Sequence, residues 1–189
     1  SDAQLIGVSG FELYASGTLK LNSASDGVTG LALTPRMNWT LATALANDPD
    51  GLLTDLDILA AVALQVTGQA AIDIGNGALV ATVTGVELNL ATMDVTDGTT
   101  TLTGADILSF TGTASLFAGV GGSLNGAHTA VVNGTIGFAV NSVSLSLVSA
   151  TGALTDGANA GDSYVGVSVA LSDAQLIGVS GFELYASGT

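Results

Sequence analysis

The eighteen residues Ser1–Thr18, SDAQLIGVSGFELYASGT, occur again letter for letter as Ser172–Thr189. Chance does not produce an identity of that length, so the chain carries an internal repeat. Its period is the offset between Ser1 and Ser172, 171 residues. The expected organisation is one tandem repeat unit over residues 1–171 and the start of the next identical unit over 172–189. Domains strung as beads meet in exposed polar linkers. Here strand-like VGVSVAL (Val165–Leu171) runs straight into the second copy with no linker between them. Successive units are therefore expected to merge, each burying an end against the next as repeat arrays do.

A period of two dominates the rest of the chain. In FELYASGTLKLN, Phe11, Leu13, Ala15, Leu19 and Leu21 fall on one face of a strand, and Glu12, Tyr14, Ser16, Thr18, Lys20 and Asn22 on the other. VELNLA (Val86–Ala91) and SVSLSLV (Ser142–Val148) repeat the pattern. Each of the three leads on to an Asp-Gly pair, Asp26-Gly27, Asp97-Gly98 and Asp156-Gly157, the dipeptide favoured in tight turns. The unit thus reads as three diverged β-meander segments, and LTDLDIL (Leu53–Leu59) echoes LTGADIL (Leu102–Leu108) in the same sense. The spacings of the related strands are uneven: 75 residues from Phe11 to Val86, 57 to Val143 and 39 to Phe182. Fixed rungs would give equal short periods. The expected fold is all-β, with long hairpin-connected strands in stacked or rolled sheets continuous across tandem repeats; a β-solenoid is the alternative. Further strands are expected at 58–66, 69–74, 78–83, 107–117, 129–133 and 135–141. In MNWTLATALA (Met37–Ala46) the alternation of Met37, Trp39, Leu41 and Leu45 assigns a strand to the only helix candidate.

Composition removes several classes. Hydrophobic residues make up 48% of the chain and charged ones 10%, the reverse of what disorder requires. No run of about 20 apolar residues occurs, and 5% aromatics supply no girdles for a membrane barrel, so the chain is not expected to span a membrane. Sixteen acids stand against Lys20 and Arg36. That balance excludes nucleic acid, whose phosphates need basic partners, and favours divalent cations. Cysteine is absent, and with it disulfides and thiolate metal sites.

The order VALSDAQLIGVSGFELYASGTLKLNS, then TGVELNLATMDV, then TLTGADILSFTGTASLF resembles the repeats of giant bacterial tandem-repeat surface proteins. In those, segments of related form recur many times along one chain. The resemblance implies a secreted, extracellular or cell-surface protein of bacterial origin, and it brings no catalytic signature with it.

Chemistry-bearing clusters are few. The one histidine, His128, lies in NGAHTAVVNG, whose Gly and Asn content reads as a turn. No nucleophile elbow, phosphate loop or zinc-protease motif occurs, so the chain is expected not to be an enzyme. One acidic cluster, Asn47-Asp48-Pro49-Asp50-Gly51 with Asp55 and Asp57 following, offers the oxygen ligands calcium takes. Asp48, Asp50, Asp55 and Asp57 are the candidate metal residues; the competing reading is a plain turn with the carboxylates in solvent. The expected function is a structural segment of a secreted repetitive filament, stalk or matrix fibre. Its partners would be adjacent repeats and laterally associated filaments. A calcium-stiffened adhesin extender, or a binding module with an apolar β groove for lipid or glycan, are the alternatives.

Overall fold

Alternating apolar and small polar residues leave a chain little choice but to extend and pair, and this one pairs almost throughout. A computed structural model describes residues 2–4, 10–178 and 185–189. Strand accounts for 59% of the described residues and helix for 4%, which establishes the all-β class. In order the strands are β1 (Asp2–Gln4), β2 (Phe11–Leu21), β3 (Val62–Ile74), β4 (Leu79–Thr96), β5 (Thr101–Val120), β6 (Ser123–Leu124), β7 (Val131–Val132), β8 (Ile136–Thr151), β9 (Ser163–Ile177) and β10 (Tyr185–Gly188). Eight of them form one antiparallel sheet in the order β1-β2-β3-β4-β5-β8-β9-β10, while β6 and β7 form a two-stranded flap.

This meander explains the uneven spacing of the related segments. They lie on β2, β4 and β8, alternate members of the sheet, and each opens a hairpin with β3, β5 or β9. The irregularity sits in the connections, a long one over 22–61 and the flap over 121–135. The fourth member of the series, Phe182, lies outside the described residues.

Several expected strands fuse. Residues 79–83 of the strand expected at 78–83, and 86–91, belong to the 18-residue β4, and 102–108 and 107–117 to the 20-residue β5. Glycines that read as breaks are mid-strand features instead. Gly85, at φ 59°, forms a bulge in β4 where the pairing with β3 and β5 slips. Gly17 lies opposite Gly68 on β2 and β3, and added Cβ atoms there would strike the neighbouring backbone. The strands approach closely at this level because neither residue has a side chain.

One expectation is corrected. The segment 37–46 is not a strand: Trp39–Ala42 forms a single helical turn. Asn38 caps it by accepting a hydrogen bond on Oδ1 from the Leu41 amide at 3.1 Å, and Trp39 Nε1 donates to Asn22 Oδ1 at 3.1 Å. A capping asparagine just before the run outweighs the loose alternation that follows it. Asn22, buried at the end of β2, also donates to the carbonyls of Met37 and Leu59, which ties the long connection to the sheet.

The duplicated segment forms the same hairpin at both edges of the sheet. At one edge Ala3 pairs with Ala15 and Gln4 with Tyr14. At the other, Ala174 pairs with Ala186 and Gln175 with Tyr185, the same residues one period later in the same register. Six strands, β2, β3, β4, β5, β8 and β9, separate the start of one copy from the start of the next.

Candidate functional site

Register assigns every strand residue to one of two faces, since directly opposed residues share a face. Leu13, Leu19 and Leu21 on β2 oppose Ile72, Val66 and Leu64 on β3. These continue to Ala81, Leu88 and Leu90 on β4, then to Leu116, Phe110 and Leu108 on β5. Val140, Val143, Leu145 and Leu147 follow on β8, and Ala174, Leu171, Val169 and Val167 on β9. The result is an apolar band that crosses the sheet from β2 to β9 and holds no charged side chain. Asp106, paired with Thr92, marks its border at one end of the strands. The alternation in β2 and β8 was legible in sequence; the six-strand continuity of the band was not, because bulges shift the odd-even pattern within β4, β8 and β9.

This band is open. Leu19 is 68% exposed, Leu21 66%, Val165 66% and Val167 59%, and of the whole face only Val140 and Ala174 are buried. The buried core lies on the other side. Val80, Thr82, Ala71, Phe117 and Ala139 point to the polar face and are sealed by the β6–β7 flap, while Leu102, Ala105 and Ala150 form a second small cluster. A compact monomer of 18.4 kDa exposes about 8,200 Å². This chain exposes 11,465 Å². The excess of about 3,300 Å² is what a single-layer sheet with an unpartnered face should show. Where Gly17 and Gly68 remove two side chains, the band carries an open trough edged by Ala15, Leu19, Val66, Ala70 and Val86.

On the polar face the flap is fastened by His128. Its ring lies on Tyr14 with centroids 3.5 Å apart and planes 9° from parallel. The turn reading of its loop holds: His128 sits at φ 55°, its amide donates to the Asn125 carbonyl, and Asn125 Oδ1 accepts from the amides of Thr129 and Ala130. Tyr14 in turn donates to Glu12 Oε2 at 2.9 Å. Tyr185, the same residue one period on, stands at the outer edge of the sheet and is 71% exposed.

The four candidate metal residues are only partly engaged with one another's surroundings. Asp48 accepts hydrogen bonds from the amides of Leu52 and Leu53, at 3.2 and 2.7 Å, closing the Asp-Pro-Asp-Gly turn. Asp57 pairs with Lys20 at 3.0 Å, and Lys20 holds its carboxyl below the usual carboxylate range. Asp50 and Asp55 are exposed. Among the described residues no three His, Cys, Asp or Glu side chains gather as a metal site. Two of the expected turn aspartates behave as such. Amide and hydroxyl donors of Thr29 with the Val28 amide lower the pKa of Asp26, and the amides of Thr100 and Thr99 lower that of Asp97. Asp156 instead reaches across to the Thr103 amide at 3.1 Å.

No helix among the described residues is long and apolar enough to cross a membrane. Comparison with protein-family models, curated proteins and solved structures found no match.

Proposed function

We propose that this chain is a structural, non-catalytic segment of a secreted, repetitive filament, in which consecutive repeats continue one antiparallel sheet edge to edge. The observation that carries the reading is the identical hairpin in identical register at both edges. The outer side of β10 corresponds to the side of β2 on which β3 pairs, so a following repeat has a defined place to add. Six strands per repeat is an even number. Each repeat therefore starts in the same direction as the last, and the array extends without reversing. Edge strands, a liability when exposed, become internal in such an array.

An acid-rich, cysteine-free surface and the resemblance to bacterial surface repeats favour an extracellular or cell-surface location, as a stalk, matrix fibre or adhesin extender. Electron microscopy of the native protein tests the reading. Filaments are expected; discrete globular particles that stay monomeric at high concentration would refute it. A second reading, a module that takes lipid or glycan, is favoured by the open trough over Gly17 and Gly68. Lipid or sugar co-purifying in stoichiometric amount would select it.

A further inference from the structure

We infer that the apolar face is an interface between two copies of this chain, packed sheet against sheet. The proposal is separate from the edge-to-edge joining of repeats, because it concerns the opposite surface element: the broad face, not the rim.

Three observations point to a second copy as the occupant. The first is area. Each copy exposes about 3,300 Å² more than a compact monomer of its mass, enough to supply its share of an obligate homodimer interface, roughly 1,000–2,500 Å² per copy. A contact of ordinary transient size would leave much of the excess uncovered.

The second is the placement of charge. Glu12, Lys20, Asp73 and Glu87 all alternate onto the polar face, and the band between Phe11 and Leu21 on β2, and its continuation to β9, carries none. Two chains of net charge −14 would repel if they met polar face to polar face. Meeting through the bands places Glu12, Asp73 and Glu87 on the two outer surfaces, with both sheets between them, and leaves Asp106 and Arg36 at the rim of the contact. Facing sheets pack about 10 Å apart with their side chains interdigitated. The Gly17–Gly68 trough and the Leu19 and Val66 side chains beside it give each copy both a recess and a ridge. A two-fold contact requires that kind of self-complementarity.

The third observation separates a protein partner from a bilayer. Each strand gives the band 10–12 residues between its rims (Phe11–Leu21, Leu64–Ile74 and Leu79–Leu90, for example), a length that a tilted strand would also need to cross a membrane. Membrane strands carry aromatic girdles at those rims and close into barrels that leave no edge. Here Tyr14, Tyr164 and Tyr185 all fall on the opposite face and Trp39 lies in the long connection; Phe11 and Phe138 give the band rim aromatics at one end of the strands only, and the eight-stranded sheet is ordered as an open array.

Sedimentation of the wild-type chain and two double variants decides the matter. Val167→Lys with Val169→Lys places charges on exposed positions of the band, where the isolated fold does not depend on burial. Ser146→Lys with Ser168→Lys places the same charges on the polar face. The expected result is a smallest wild-type species of twice the 18.4 kDa chain mass, halved by the valine pair of changes and kept by the serine pair, with the strand signature in circular dichroism unchanged in all three. A wild-type monomer, or a dimer that survives the valine changes, would overturn the proposal. So would a chain that is monomeric alone but floats with phosphatidylcholine–phosphatidylglycerol vesicles and loses that binding in the valine variant; the face would then be a lipid surface. End-to-end joining through the sheet rims would give an open series of masses insensitive to the valine changes, so the two ideas fail separately.

Discussion

His128 lies flat on Tyr14, ring centroids 3.5 Å apart, and so pins the flap over residues 121–135 to a strand three places away in the sheet. Beneath the flap Val80 and Phe117 are fully buried, on a face that is otherwise polar. Stacked ring pairs contribute about 0.5–1.5 kcal/mol beyond their buried area. His128→Ala is expected to cost about that much and to raise hydrogen exchange at the amides of 121–135 while leaving those of β4 and β5 protected. Unchanged exchange in the flap would show that it is held without the ring pair, by Phe117 beneath it and by the Gly122 amide donating to the Gly77 carbonyl.

The close approach at Gly17 and Gly68 gives a second test. A Cβ on Gly68 would lie 2.7 Å from the Ser16 carbonyl oxygen, which is backbone and cannot swing aside. Gly68→Ala should destabilise by about 1–3 kcal/mol, the usual cost of forcing atoms into filled space. Gly166→Ala, where nothing lies within 4 Å, should be close to neutral or slightly stabilising. Equal melting temperatures for the two variants would remove the close-approach argument.

Asp57, Asp26 and Asp97 have pKa values lowered by Lys20, by Thr29 and by Thr100 with Thr99 respectively. Carboxyls with a depressed folded pKa add stability that is present above the unfolded pKa of about 3.9 and is lost as pH falls through the folded value. The melting temperature is therefore expected to be flat from neutral pH down to about 5 and to fall below about 4. Lys20→Met should remove only the Asp57 part of that fall. All three groups are exposed, so added salt should weaken the Lys20–Asp57 contribution. A melting temperature that rises on acidification would contradict the assignment.

The loop over Asn47–Asp57 separates calcium binding from a turn. Asp48 already accepts two amides and Asp57 a lysine. Asp48→Asn is expected to lower the melting temperature by weakening those amide bonds, and calcium or a chelator to leave the wild-type value unchanged. A chelator-sensitive melting temperature that disappears with Asp48→Asn and Asp50→Asn would establish the calcium site instead.

Much of this fold was legible in the sequence, because period-two alternation reports strand faces directly. Leu13, Leu19 and Leu21 fell on one side of β2 as read, and Asp97-Gly98 closed a tight turn between β4 and β5. What escaped was governed by position in the whole sheet. Gly68 and Gly85 fall between expected strands but lie inside long ones, since a glycine marks a bulge or close approach as readily as a turn. Trp39 alternated like a strand residue, yet the Asn38 cap made a helical turn. That the core would form on the polar face, under a Gly-rich flap, follows from where residues 121–135 fold back, and no local pattern encodes it.

The central claim is that repeats add edge to edge, strands lying across the long axis. At about 4.8 Å between strands, six strands advance the array by about 29 Å per repeat. Small-angle scattering from proteins of two, three and four repeats measures that advance directly. The account predicts that the maximum dimension grows by about 29 Å, or somewhat less where the sheet coils, with each added repeat, and that oriented fibres diffract at about 4.8 Å along the fibre axis. Growth by a full domain diameter per repeat, with strands running along the axis or no orientation at all, would contradict it.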